Sequence, residues 1–175
     1  HWPTWLAIGA LRVLVLLPYA LQVRLGRCLG GIAVRLRLPF VRIARTNIAL
    51  CMPEQSEQVR EALLKEHFKS LGQGIFETAI AWWASKPRIA RLTRLEGEEH
   101  LQAALARGRG AILLSAHFTT LEIGGRVLCD QLPGNVNVMY RPTANAVLER
   151  FLMRNRSHRA RRAIPRDDIR TLLFE

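Results

Sequence analysis

Cysteine is scarce in this sequence, and the few cysteines show no spacing typical of a disulfide-bonded or metal-binding fold. Three of the 175 residues are cysteines, Cys28, Cys51 and Cys129, and they are dispersed, odd in number and without a C-x-x-C pair. This excludes a disulfide framework and a zinc site and fits a reducing compartment. Three histidines, His67, His100 and His158, also lack a recurring ligand spacing, so no metal is predicted.

Acidic residues are scarce as well. The chain has 14 of them against 26 lysines and arginines, and seven arginines precede the first acidic residue, Glu54. Eight more arginines lie from Arg150 to Arg170. Hydrophobic residues nevertheless make up 49% of the chain, with a mean hydropathy of +0.05. Apolar and positive surface together predict binding to an anionic membrane, where each basic side chain contributes about 1 kcal/mol.

Nucleic acid would attract the same charge, but the accompanying signals are missing. Only one aromatic residue, Phe151, lies among the arginines from Arg150 to Arg162, whereas stacking on single strands requires aromatic residues along the whole run. No helix-turn-helix or RNA-binding motif is present. Nucleic acid is therefore the least favoured partner.

The length of the chain and its pattern of apolar and polar residues predict one domain. The sequence divides into two regions: residues 1–50 with apolar and basic helices, and residues 51–175 with mixed helices and strands. The apolar stretch from Trp5 to Val23 contains Arg12 and Pro18 and is at the short end of what spans a bilayer. It can span, lie flat on the membrane or form a core helix. Because the chain begins at His1 without methionine, we expect that N-terminal residues were removed.

Two features predict helix packing in the first half. Three glycines, Gly26, Gly30 and Gly31, leave part of a helix surface without side chains, so that another helix can pack closely against it. A long helix is predicted after Pro53 with Ser56 as N-cap. Its buried face is predicted from apolar residues at spacings of four and eight: Val59, Leu63, Leu71, Ile75 and Ala79.

From Thr93 onward, the pattern alternates between strands and helices, which predicts an α/β fold. We expect a short strand ending at Glu96, a helix from Glu98 ended by Gly108, a strand over 111–115, a helix to Leu132 and a strand over 136–140.

His117 follows the predicted strand at 111–115, and Glu122 comes five positions later. Ligands collect at the carboxyl ends of strands, and a neutral imidazole can take a proton from an alcohol. A carboxylate on the Nδ1 side would orient the ring, as the third member of a catalytic triad does. Thr119 and Glu122 also form a capping box, in which Glu122 serves only the helix start. The spacing alone leaves both interpretations open.

Arg141 follows the strand at 136–140 and is therefore predicted at the same sheet edge as His117. A guanidinium there can clamp a phosphate or stabilise an oxyanion. Asn145 lies close by in sequence, but it can also be just the N-cap of the next helix.

Four segments of the chain resemble those of a known protein family. They are HFTTLEIGGR (117–126), YRPTANAVLERF (140–151), RIARTNIALCMPE (42–54) and LEGEEHLQAALARGRGAILL (95–114). In this order they resemble the late acyltransferases of lipid A biosynthesis, particularly the lauroyl-transferring branch, within the larger H-x-x-x-x-[DE] acyltransferase superfamily. The resemblance covers nearly the whole chain. It implies N-terminal membrane-associated helices before a glycerolipid-acyltransferase-like α/β core with a parallel or mixed sheet.

The resemblance also implies a function. The expected enzyme lies on the cytoplasmic face of the inner membrane of a Gram-negative bacterium. It moves an acyl group from acyl carrier protein to a hydroxyl of the Kdo-bearing lipid A precursor (Kdo-lipid IVA), without a cofactor. His117 and Glu122 would be the catalytic pair, and the expected substrate-binding residues are Thr119, Arg126, Arg141 and Asn145.

Other interpretations remain open. The arginines from Arg150 to Arg162 suit a lipid headgroup or the acidic carrier protein. A glycerolipid acyltransferase shares the H-x-x-x-x-[DE] spacing, although Glu122 stands where those enzymes usually have aspartate. A non-catalytic basic membrane-surface protein is a third possibility. The family pattern continues beyond Glu175 with a Pro-Asp-[Gln/His]-Asp run, so we expect the chain to be C-terminally truncated and to lack part of the active-site wall.

Overall fold

The computed structural model of the chain describes residues 2–168 and 170–171. Within them, the chain is mostly helical and carries one small parallel sheet. The elements in order are α1 Trp2–Leu14, α2 Tyr19–Arg35, α3 Pro39–Cys51, α4 Glu57–Trp83, α5 Lys86–Leu92, α6 Glu98–Leu105, α7 Leu121–Gln131, β1 Asn137–Tyr140, α8 Ala146–Ser157 and β2 Arg162–Pro165.

The apolar stretch from Trp5 to Val23 is divided between two helices. α1 ends at Leu14, and α2 begins at Tyr19, directly after Pro18, whose fixed φ and missing N–H suit a helix start. In α1 only Ile8 is buried, so this helix is not a core helix. Among the described residues, no helix combines the length and hydrophobicity needed to cross a membrane.

α2 and α4 cross at very short distance through glycines. A Cβ at Gly30 would lie 1.9 Å from the carbonyl oxygen of Phe68, and a Cβ at Gly26 would lie 2.6 Å from the Cα of Gln73. Gly72 of α4 faces the same contact. Two of the three glycines predicted for close contact are confirmed, whereas Gly31 has nothing within 4 Å of its Cβ position and faces away.

α4 begins as predicted, but its buried face is different. The Ser56 hydroxyl accepts a hydrogen bond from the Val59 amide at 3.3 Å, which confirms the N-cap. The buried positions of α4 include Leu64, Phe68, Phe76 and Ile80, and only Ala79 of the predicted face is buried. The other four predicted positions, Val59, Leu63, Leu71 and Ile75, are 39–48% exposed. Because Gly72 must meet α2, the helix is rotated by about one residue from the predicted orientation.

The second half is α/β, with fewer strands than predicted. Helices α6 and α7 and strand β1 form where expected. β1 pairs in parallel with β2, with Asn137 opposite Arg162 and Tyr140 opposite Pro165, and α8 connects them. The strand β2 was not predicted.

Two predicted strands are absent from the described residues. Residues 93–96 and 111–115 belong to no strand, and Ile112 and Leu114 are each 98% exposed. An apolar run becomes a strand only where a neighbouring strand supplies ladder hydrogen bonds. β1 finds that partner in β2, and no described strand pairs with 111–115. The buried strand predicted before His117 is therefore wrong for this structure.

Candidate active site

Glu122 lies in the first turn of α7, but it does not cap the helix. The N-cap is Thr120, which makes no side-chain capping hydrogen bond. The hydroxyl of Thr119 pairs instead with that of Ser70 at 3.3 Å. The capping-box interpretation of Thr119 and Glu122 is therefore wrong, and the carboxylate is available for another role.

The carboxylate of Glu122 is bound by Arg156. An Nη atom of Arg156 in α8 donates to Oε1 of Glu122, and the two side chains are only 23% and 25% exposed. The guanidinium carbon of Arg156 also lies 5.7 Å from the centroid of the Tyr140 ring at the end of β1. Burial and then the neighbouring Glu149 raise the pKa of Tyr140. The first turn of α7, the end of β1 and one face of α8 thus meet around Arg156.

His117 does not contact Glu122. The histidine lies on an exposed segment without helix or strand, residues 110–118, and within the described chain no hydrogen bond or ion pair joins it to Glu122. The physical reason is the missing strand, since no ladder holds 111–115 in place. Arg156 engages Oε1 of Glu122, and Oε2 has no hydrogen-bond partner among the described residues. A carboxylate has about four acceptor sites, so one oxygen remains for an imidazole N–H.

The segment that carries His117 is fixed to α4 at Thr119. Besides the hydroxyl contact with Ser70, the Cβ and carbonyl oxygen of Thr119 would each lie 3.1 Å from a Cβ at Gly74. A larger residue at position 74 would press against Thr119, so the packing of Thr119 favours glycine there. At the other end of the segment, Gly108 and Gly110 adopt φ of +71° and +72°, which favours glycine.

Arg126 is buried and holds α7 against α4. It is 6% exposed, its Nε donates to Asp130 at 2.6 Å, and an Nη donates to the carbonyl of Ala81 at 3.0 Å. Arg159 similarly donates to the Trp82 carbonyl at 3.3 Å. Carbonyls in the last turn of a helix lack intrahelical donors, and cations stabilise this end. Arg126 thus has structural partners, and its predicted contact with substrate stays a prediction.

Arg141 and Asn145 flank the loop between β1 and α8. Arg141 is exposed immediately after β1. Asn145 caps α8, because its Oδ1 accepts from the Val147 and Leu148 amides at 3.1 Å each. Its Nδ2 donates to the Thr4 hydroxyl at 3.1 Å and so joins α8 to α1. The N-cap interpretation is confirmed, and the substrate-binding roles of both residues stay predictions.

Arg156 is the site residue that sequence reasoning singled out only as one member of a basic run. Glu149 and Arg156 are seven residues apart, so they share a face of α8. On that face Glu149 accepts from the Thr143 amide at 2.8 Å, while Arg156 reaches Glu122. This spacing marks a shared face, but it does not identify a partner 34 residues away. As for metals, the residues described include no group of three His, Cys, Asp or Glu side chains able to hold an ion.

The chain matches the family of bacterial lipid A biosynthesis acyltransferases over residues 1–174. It belongs to this family. It is 38% identical over 173 residues to the lipid A biosynthesis lauroyltransferase of Escherichia coli K12 and 34% identical over 179 residues to the palmitoleoyltransferase of the same organism. Each alignment covers 99% of this chain and 56% of the relative. The chain therefore spans about half the length of these relatives.

Sequence identity to this chain differs between the branches of the family. A lipid A biosynthesis acyltransferase of Haemophilus influenzae is 33% identical over 175 residues, covering 99% of this chain and 55% of the relative. The E. coli myristoyltransferase is 27% identical over 131 residues, covering 75% of this chain and 41% of the relative. The resemblance to the late acyltransferases, lauroyl branch, is thus confirmed. No solved structure matches the chain.

Proposed function

We propose that the protein carries out direct acyl transfer from acyl carrier protein to a hydroxyl of the Kdo-lipid IVA precursor. The observation that carries the proposal is the H-x-x-x-x-E spacing of His117 and Glu122 in a chain that matches the lipid A acyltransferase family over residues 1–174. The relatives named lauroyltransferase and palmitoleoyltransferase favour laurate or a similar chain as the donor group.

In the proposed reaction, His117 acts as the general base. Its Nε2 takes the proton from the acceptor hydroxyl while Oε2 of Glu122 accepts the Nδ1–H and stabilises the imidazolium. The contact requires the 110–118 segment to move toward Glu122. The exposure of that segment, its glycines at one end and the Thr119 attachment at the other support a short rearrangement of this kind.

The freed alkoxide attacks the thioester carbonyl. The tetrahedral intermediate then collapses, the C–S bond breaks, and the carrier thiolate takes the proton from His117. No acyl-enzyme forms. Arg141 and the backbone N–H groups near Thr119 and Thr120, at the start of α7, would stabilise the oxyanion, where loss of one donor typically costs about 3 kcal/mol. Arg156 would hold Glu122 in the orientation that His117 requires.

The proposed setting is the cytoplasmic face of the inner membrane, with acyl carrier protein and anionic lipid as partners. Exposed apolar side chains on α1 and α2 support this, because they lie in the same part of the chain as seven arginines. These apolar side chains are Trp2, Trp5, Leu6, Val13, Leu21, Leu25, Leu29 and Ile32. The acidic carrier protein would be attracted by the same positive charge.

The decisive experiment offers lauroyl carrier protein together with Kdo-lipid IVA and glycerol 3-phosphate in competition. We expect acylated lipid IVA as the product, and we expect His117→Ala to abolish transfer while circular dichroism and vesicle binding stay unchanged. His100→Ala is the matched control, since His100 is also exposed. Normal turnover by the His117 variant would refute the mechanism. Acylated glycerol phosphate as the main product would assign the protein to glycerolipid synthesis instead.

A further inference from the structure

A cleft lies on the side of α8 away from Glu122. The cleft has a volume of about 670 Å³ and is bounded by α1, the end of α4 and α8. The lining residues of α8 and its C-cap recur at helical spacing: Val147, Arg150, Phe151, Arg154, Asn155 and the C-cap His158. Glu149 and Arg156 lie on the opposite face of the helix. The cleft is therefore separate from the residues that surround Glu122.

The floor of this cleft is aromatic. The Phe151 ring lies 5.0 Å from that of Trp82 and 5.6 Å from that of Trp83, centroid to centroid, and Trp5 completes the apolar lining. The indole N–H of Trp82 is buried and has no acceptor in the described residues. One donor on a lining side chain is thus unsatisfied, which is costly unless a ligand or water supplies an acceptor.

The rim of the cleft is strongly basic. Five lining residues are cationic or become so on protonation: Arg12, Arg150, Arg154, His158 and Arg159. None of the residues that line the cleft is acidic. The Arg12 guanidinium lies 5.3 Å from the Trp83 ring centroid, and among the described residues Arg150 donates only to the Ala146 carbonyl of its own helix. Several guanidinium donors are thus free for an anion, and arginine matches the oxygens of phosphate.

The surface beside the cleft favours a lipid over a soluble anion. α1 contributes Trp5 and Arg12 to the cleft, and its outer face exposes Trp2, Leu6 and Val13. A molecule whose phosphate lies among the arginines would place its hydrocarbon against these side chains. We propose that this cleft binds the phosphate headgroup of an anionic bilayer phospholipid, at a site distinct from the acyl-transfer site.

The test compares two variants that lose the same charge. Arg150→Gln with Arg154→Gln removes two cations of the cleft, and Arg107→Gln with Arg109→Gln removes two exposed cations outside it. The full chain is sedimented with vesicles of phosphatidylglycerol and phosphatidylcholine, and with phosphatidylcholine alone, at one ionic strength. Circular dichroism verifies the fold of each variant.

We expect the cleft variant to lose tenfold or more of its binding to the anionic vesicles and the control variant to lose less than threefold. Equal losses in the two variants would show diffuse attraction and overturn the proposal, as would unchanged binding by the cleft variant. If inorganic phosphate displaces the protein more than chloride of equal ionic strength does, the cleft is a free-anion site. If the cleft variant has a raised KM for the acceptor lipid but unchanged vesicle binding, the cleft binds the phosphate of the substrate. That result would also overturn the proposal.

Discussion

The guanidinium of Arg156 binds Oε1 of Glu122 and leaves the second oxygen of that carboxylate open. Because α7 has no side-chain cap, this ion pair is the contact that orients Glu122 in the described structure. The proposed catalytic role of His117 therefore depends on a residue of α8 as well as on its neighbour in the motif.

Glu122→Gln should reduce rate far more than stability. The amide keeps the size of the side chain but cannot stabilise an imidazolium, and the equivalent change in a serine protease triad lowers kcat by about 10⁴. The lost ion pair is partly exposed and should cost about 1 kcal/mol or less. Single-turnover acyl transfer and urea unfolding measure the two effects. An unfolding midpoint that shifts strongly with near-normal turnover would assign Glu122 a structural role.

Arg156→Gln tests whether Arg156 holds Glu122 in its catalytic orientation. We expect transfer to fall by about tenfold or more, because loosening a positioned group costs rate. In a double-mutant cycle with Glu122→Gln, the two rate losses should be non-additive, since Arg156 would act through Glu122. Arg107→Gln, an exposed arginine outside α8 and outside its cleft, is the control. Additive losses would show that Arg156 acts independently of Glu122.

Gly30→Ala should disrupt the crossing of α2 and α4. Its Cβ would lie 1.9 Å from the Phe68 carbonyl oxygen, which belongs to the backbone of a long helix and cannot move aside cheaply. We expect a loss of about 3 kcal/mol or more, or failure to fold. Gly31→Ala has open space and should be neutral or stabilising by up to about 1 kcal/mol. Equal thermal stability of the two variants would refute the close crossing.

Gly74→Ala should impair catalysis through Thr119. The new Cβ would press on the Cβ and carbonyl of Thr119 at 3.1 Å and shift the segment that carries His117. Misplacement by about 1 Å can cost about 100-fold in rate. Gly125→Ala in α7, where nothing lies within 4 Å, is the matched control. Unchanged kcat in a folded Gly74 variant would show that Thr119 does not position His117.

Tyr19 should make stability fall at high pH. Burial and its hydrogen bond to Glu77, at 2.8 Å, raise the pKa of Tyr19 to about 12 from 10.0. Between these values the unfolded chain loses the phenol proton while the folded chain keeps it. Since the unfolded state then binds fewer protons, the free energy of unfolding decreases as pH rises through this window and is unaffected below it.

The measurement for Tyr19 is direct because the chain has only two tyrosines. In a Tyr140→Phe variant, phenolate absorbance reports Tyr19 alone. We expect its midpoint near 12 in the folded variant and near 10 in urea. A midpoint near 10 in both conditions would contradict the buried contact with Glu77.

Local features of the sequence determined much of the secondary structure. Ser56 marks the start of α4, the glycine at 108 follows α6, and the segment before Tyr140 is a strand as predicted. The order of motifs was sufficient for the family, because it depends on the sequence alone. The H-x-x-x-x-E spacing likewise identified the candidate catalytic pair without a structure.

The tertiary structure decided what these elements meet. Apolar residues along α4 are compatible with more than one buried face, and the glycine contact with α2 selects the one that contains Phe68. The run at 111–115 has strand composition but no partner in the described sheet, so His117 lies exposed. Glu122 has a capping sequence yet binds Arg156, because a charge 34 residues away competes better than the local backbone. Helix starts and turns arise from neighbours in sequence, whereas burial, strand pairing and ion pairing arise from neighbours in space.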